Sequence, residues 1–123
     1  NEWIIDCKWQ RDICFEKTQK LLTLKNKPTA IFVASDYMAM ASIAAINQAG
    51  LNVPQDISII GISNIEESRY LNPPLTTISI PQYEIGQIIA GTLINRINGD
   101  TTPPKQIYVP TKLLVRKSVC KIK

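Results

Sequence analysis

The 123-residue chain contains no histidine. That absence removes the commonest general base and a frequent zinc ligand together. Its three cysteines, Cys7, Cys14 and Cys120, form no Cys-x-x-Cys pair, so no metal site is expected and the thiols fit a reduced, cytoplasmic setting. P-loop, Gly-x-Gly-x-x-Gly and Gly-x-Ser-x-Gly motifs are missing too. Catalysis would have to rest on carboxylates such as Asp36 with Glu66 or Glu67, but a helix cap explains the first and loop solvation the others. Neither an enzyme nor a cofactor is expected.

No apolar stretch reaches the length of a membrane span, and Asn1–Asp6 has neither the basic flank nor the apolar core of a secretory leader. Those six residues also lack an initiator Met, so the chain is expected to start inside something larger. With 45% hydrophobic and 20% charged residues it suits one core and is short for two full lobes. The formal charge is +4, and the basic residues gather near the ends without interleaved aromatics. A nucleic-acid groove within this chain is therefore not expected. Repeats, low-complexity segments and domain linkers are absent as well.

What is present is a strand-helix-strand grammar. Trp3–Cys7 is apolar enough for a short strand, and Asp12–Lys25 places Cys14, Thr18, Leu21 and Leu22 on one helical stripe. Thr29–Ala34 is an apolar run without alternation, as in a strand covered on both faces. Asp36 then reads as the N-cap of a helix over Tyr37–Ala49, closed by Gly50 in the left-handed C′ position. That helix has almost no polar face, so its second apolar flank meets either the interior or another subunit.

Asp56–Ile62 predicts a second buried strand, making a parallel pair with a helical crossover. Glu66–Leu71 reads as a loop or single helical turn stopped by Pro73-Pro74, and Thr76–Ile80 as a short extended segment. A helix is expected over Gln82–Asn98, with Ile85, Ile89, Leu93 and Ile97 at i+4 steps. Ile107–Val109 and Leu113–Val115 follow as late strands, before a lysine-rich tail expected to be disordered at its end.

Ligands of open parallel sheets collect beyond the carboxyl ends of the strands, where Ser35, Asp36, Ser63 and Asn64 fall here. Trp9 is available from the entry to the first helix. Hydroxyls, an amide and a carboxylate give directional hydrogen bonds, and an indole face suits the C–H groups of a sugar ring. Singly, each residue has a plainer explanation: Ser63 and Asn64 as a turn, Trp9 as core. Convergence at the strand ends favours binding.

Three blocks in order, Pro28–Ala39, Gly50–Gly61 and Pro73–Ile78, resemble the effector-binding domain of LacI/GalR-family transcriptional repressors, and the similarity covers nearly the whole chain. The resemblance implies an α/β fold: a parallel sheet with flanking helices, forming half of a type I periplasmic-binding-protein-like two-lobed domain. Residues 1–123 would be its C-terminal portion, with the helix over 82–98 packing on a lobe supplied by sequence outside this chain. The isoleucine stripe of that helix would otherwise be exposed and seek an apolar partner by swapping or self-association.

By motif, the resemblance places Ser35, Asp36, Ser63, Asn64 and Trp9 at the ligand. It places Met40, Tyr70 and Leu71 at a homodimer interface. Where most members carry an Asp after Gly-aromatic, this sequence reads Gly61-Ile62-Ser63-Asn64, which replaces a charged hydroxyl clamp by a neutral one. The implied function is effector sensing: a small molecule, expected to be a carbohydrate, modulates operator binding by a helix-turn-helix head outside this chain. The alternative is an extracytoplasmic sugar-binding transport receptor of the same fold.

Overall fold

The computed structural model describes residues 3–121. In chain order it has α1 (Arg11–Leu22), β1 (Ala30–Phe32), α2 (Asp36–Gln48), β2 (Ser58–Ile62), a 3-10 turn over Glu66–Arg69, β3 (Thr76–Ser79), α3 (Gln82–Ile97) and β4 (Lys112–Leu114). The sheet order is β1-β2-β3-β4. β1, β2 and β3 run parallel, pairing Ile31 with Ile59 and Gly61 with Thr77, while β4 returns antiparallel with Leu113 opposite Ile78.

The core lies where α2 meets β2. Ile43, Ile46, Ile57, Ile59 and Leu75 join Cys14, Val33, Met38, Ala39 and Val53 in one buried cluster. Fully burying each of these larger aliphatic side chains stabilises the fold by about 1.5–3 kcal/mol. Ala39 and Ala45 have no exposed surface, and such small side chains let neighbouring elements approach the helix closely.

The second apolar flank of α2 meets α1 of the same chain. There Ser42 Oγ lies 3.0 Å from Thr18 Oγ1 and 3.3 Å from Cys14 Sγ. The Cys14 thiol also donates to the Met38 carbonyl at 3.6 Å. Buried polar side chains are thus paired with one another across the seam, which removes the cost of leaving them without partners.

Three local expectations fail for identifiable reasons. Trp3–Cys7 forms no strand: its exit is bent by an Asx turn, with Lys8 N donating to Asp6 Oδ1 at 2.8 Å, and Lys8 and Trp9 take left-handed φ values of 49° and 56°. Ile107–Val109 is not a strand either. It lies alongside α3, lining a shared groove, and only Lys112–Leu114 pairs with β3.

The tail, expected to fray, is fastened as far as Cys120. Ser118 is fully buried; its hydroxyl donates to the Ile59 carbonyl at 2.6 Å and accepts from Thr76 N at 2.8 Å, and its own carbonyl accepts from Ile59 N at 2.8 Å. Cys120 N donates to Ser58 Oγ at 3.2 Å. Lys123 lies outside the described residues.

α3 differs from α1 and α2. It buries none of its residues, and Ile89, Leu93, Ile94 and Ile97 are largely exposed. Its apolar stripe shares with the 105–109 segment a groove of about 530 Å³ lined by Ile85, Ile88, Leu93 and Ile107 among others.

Candidate functional site

The carboxyl ends of β1, β2 and β3 come together at one edge of the sheet. Asp36 is the pivot there, and it corrects the sequence reading. Ser35, with extended φ −158° and ψ 140°, holds the N-cap position and makes no side-chain cap bond; Asp36 is the first residue of α2. Its carboxyl group is completely buried and turns across the sheet. One oxygen accepts from Thr77 Oγ1 at 2.7 Å on β3, the other from Ile65 N at 3.1 Å in the loop after β2. A residue expected to cap its own helix instead ties the start of α2 to β3 and to the loop beyond β2.

Gly61 makes room for this brace. A Cβ there would overlap the Asp36 carboxyl and stand 3.1 Å from Leu75 Cδ2. The requirement is lateral space, since Gly61 is not among the residues of positive φ.

After β2 the chain turns through two consecutive positive-φ residues, Ser63 at 117° and Asn64 at 54°. Asn tolerates this region, whereas Ser does so at a cost of order 1–3 kcal/mol, which surrounding bonds must offset. Those bonds are present. Ser63 N donates to the Ile78 carbonyl at 2.9 Å, continuing the ladder, and Asn64 N donates to Thr77 Oγ1 at 3.4 Å. Asn64 Nδ2 donates to Ser79 Oγ at 3.3 Å, while Asn64 Oδ1 accepts from Arg116 Nη2 at 2.7 Å.

Asn64 is thus engaged on both faces of its amide. Ser63 and Ser35 are half-buried, and neither hydroxyl has a partner among the described residues. These two groups are the ones left to meet a ligand.

Ser79 and Arg116 belong to the same cluster and were missed in the sequence. Ser79 ends β3 without any flanking motif. Arg116 sits in a basic stretch that reads as a solvated tail, and only its tertiary contacts reveal it: Nη1 donates to Leu75 O at 2.7 Å and Ser68 Oγ at 3.0 Å.

Trp9 is 76% exposed and shares an open groove of about 410 Å³ with Arg11, Ser35, Tyr37 and Met38. Trp9 also lines a second cavity of about 280 Å³, together with Trp3, Ile5, Cys7, Val33 and Met38 among others. The structure brings Trp9 and Ser35 together, and joins Asp36, Thr77, Asn64 and Arg116 in one bonded chain. Ser63 and Asn64 do not line the tryptophan groove. At the cavity wall, burial and a hydrogen bond with the Cys14 thiol push the Cys7 thiol up to about 11.

Of the residues expected at a dimer interface, Tyr70 is exposed and Met40 half-buried, while Leu71 packs in part against the chain's own core. Among the described residues no group of three Cys, Asp or Glu side chains could hold a metal ion, and no helix is long and apolar enough to cross a membrane.

A family profile described as a periplasmic binding protein-like domain matches residues 5–119. The chain belongs to that family. Among curated proteins, the HTH-type transcriptional repressor PurR of Yersinia pestis (strain Pestoides F) is 40% identical over 118 residues, covering 96% of this chain and 35% of the repressor. The chain therefore spans about a third of the length of the curated relatives it matches.

Among solved structures, a LacI family regulator from Enterococcus faecalis V583 with bound ribose superposes with a TM-score of 0.87 at 29% identity, covering 97% of this chain and 44% of that one. The lac repressor dimer bound to operator and the anti-inducer ONPF gives 0.81 at 34% identity, covering 90% and 38%. These likenesses identify the periplasmic binding protein-like chain as a segment of the LacI/GalR-type effector-binding domain, with a parallel-dominated sheet and flanking helices.

Proposed function

We propose that this chain supplies one wall of an effector mouth in a LacI-type transcriptional regulator, and that the mouth lies over the carboxyl ends of β1, β2 and β3. The observation that carries the reading is the pair of free hydroxyls, Ser35 and Ser63, at adjacent strand ends above a fully bonded support of Asp36, Thr77, Asn64 and Arg116. A rigid polar floor with free hydroxyls suits a neutral polyhydroxylated ligand, which both donates and accepts.

Trp9 would add a flat apolar face beside Ser35, and Asp36 acts by holding the mouth's shape, since its carboxyl is buried and engaged. Two solved relatives point to the same ligand class: the E. faecalis regulator holds ribose, and CelR holds cellobiose.

In this reading the α3 stripe packs on a lobe supplied by the rest of the protein. Effector binding shifts the relative orientation of the lobes, and the shift alters operator affinity in an attached head. Such coupling requires only that effector and DNA prefer different arrangements. Met40, Tyr70 and Leu71 are assigned to a homodimer contact. The protein is a sensor and not an enzyme, and it works in the cytoplasm, where its operator is. Titrating the full-length protein calorimetrically with a panel of pentoses, hexoses and disaccharides tests this, with operator affinity measured alongside. A ligand that binds and changes operator affinity supports it; a panel without a binder removes the carbohydrate assignment.

A further inference from the structure

We infer that Arg116 is a positioning residue of the effector mouth, holding the Ser63-Asn64 turn from the segment that follows β4. The inference rests on the reading of that turn as part of the mouth.

Arg116 is half-buried, and among the described residues its guanidinium donates to neutral acceptors: Asn64 Oδ1 at 2.7 Å, Leu75 O at 2.7 Å and Ser68 Oγ at 3.0 Å. Its own N–H donates to Thr76 Oγ1 at 2.9 Å, which fixes the base of the side chain on β3. Because a guanidinium only donates, it dictates which way the Asn64 amide faces: oxygen toward Arg116, nitrogen toward Ser79. With both ends of that side chain set, Asn64 is held at φ 54° and the preceding Ser63 at φ 117°. The Ser63 hydroxyl, which has no bond of its own among the described residues, is aimed by its neighbour's restraints.

A lysine at 116 is a point donor on a flexible stem and cannot span three acceptors in a plane. The charge at the position would survive while the geometry is lost. Ser118 offers a matched contrast two residues downstream. It fastens the same tail to Ile59 and Thr76, and among the described residues it makes no hydrogen bond to the turn.

The test uses the full-length protein with Arg116→Lys, Ser118→Ala and Asn64→Ala, following amide hydrogen exchange at Asn64 and Ile65. Exchange there should rise about tenfold in Arg116→Lys, because the local opening equilibrium shifts, and stay within about twofold of the parent in Ser118→Ala even where that variant melts earlier. Adding Arg116→Lys to Asn64→Ala should produce no further rise. Parent-like exchange in Arg116→Lys, or an equal rise in Ser118→Ala, overturns the inference.

Ribose titration separates this from the broader reading. Ribose binding weakened about threefold or more in both Arg116→Lys and Ser63→Ala, but not in Ser118→Ala, supports the assignment. Weakening in Ser63→Ala alone overturns the role of Arg116 and leaves the mouth in place. A parent protein that ignores ribose, together with fast exchange in Arg116→Lys, excludes ribose as effector and leaves the positioning intact.

Discussion

Helices α2 and α3 are both rich in isoleucine and alanine or glycine, yet α2 buries seven of its 13 residues and α3 buries none of its 16. Apolar periodicity tells a helix that it needs a cover; it does not say where the cover comes from. α2 finds its cover in β2 and in α1. Among the described residues α3 has the 105–109 segment beside it, and in the reading proposed above the rest of its stripe packs on a lobe from other parts of the protein.

Glycines sharpen the contrast most. Gly61→Ala drives a Cβ into the Asp36 carboxyl, and the expected loss is about 3 kcal/mol, the upper end for overfilling a packed site. Gly91→Ala meets nothing within 4 Å and should stabilise this chain by up to about 1 kcal/mol through helix propensity. Urea denaturation of both variants checks the pair, and equal effects would erase the distinction between the packed start of α2, where Gly61 of β2 meets Asp36, and the uncovered α3. In the full-length protein the Gly91→Ala gain should shrink or reverse if α3 is covered there.

Truncating aliphatic side chains comes next. Ile46→Ala removes a fully buried side chain and should cost about 2–5 kcal/mol, the spread reflecting how far the site collapses. Ile89→Ala, at a position 61% exposed, should stay within about 0.5 kcal/mol in this chain. A smaller effect is expected from Thr77→Val, which leaves one Asp36 oxygen and Asn64 N without their partner; the loss should be about 1–3 kcal/mol by thermal denaturation.

The smallest expected effect is titration of Cys7. Its thiol keeps its proton in the folded chain up to about 11, against an ordinary 9.0, because burial and Cys14 disfavour the thiolate. The unfolded chain therefore releases that proton first, and the contribution is complete below pH 9 and lost as pH rises towards 11. Cys7→Ser should flatten the fall in melting temperature over that window.

The strand β2, the crossover α2 and the extent of α3 were legible because each is a run whose period or apolar continuity is set by backbone geometry. β1 was legible as a strand, but its expected cover on both faces is absent, since it takes the sheet edge with Ala30 and Phe32 exposed, Phe32 to 59%. Gly50 was legible for the same reason: its φ of 73° is the left-handed turn that ends α2. Asp36 was misread because an acidic residue before an apolar helix has a local use as a cap, and the tertiary bond to Thr77, 41 residues away, overrode it. Arg116 was invisible because a basic residue in a lysine-rich tail has the same local signature whether solvated or clasped. Ser118 shows the same limit from the other side: a small polar residue in an apparently frayed tail stitches Ile59 to Thr76. The segment 107–109 has strand composition but lies against α3, since the sheet edge is taken by Lys112–Leu114.

Ser63→Ala in the full-length protein, titrated calorimetrically with whichever panel sugar the parent binds, reaches the centre of the account most directly. Removing one neutral hydrogen bond to the ligand should weaken binding about three- to tenfold at an unchanged melting temperature of the free protein. Parent-like affinity would contradict the placement of the mouth over the carboxyl ends of β1, β2 and β3.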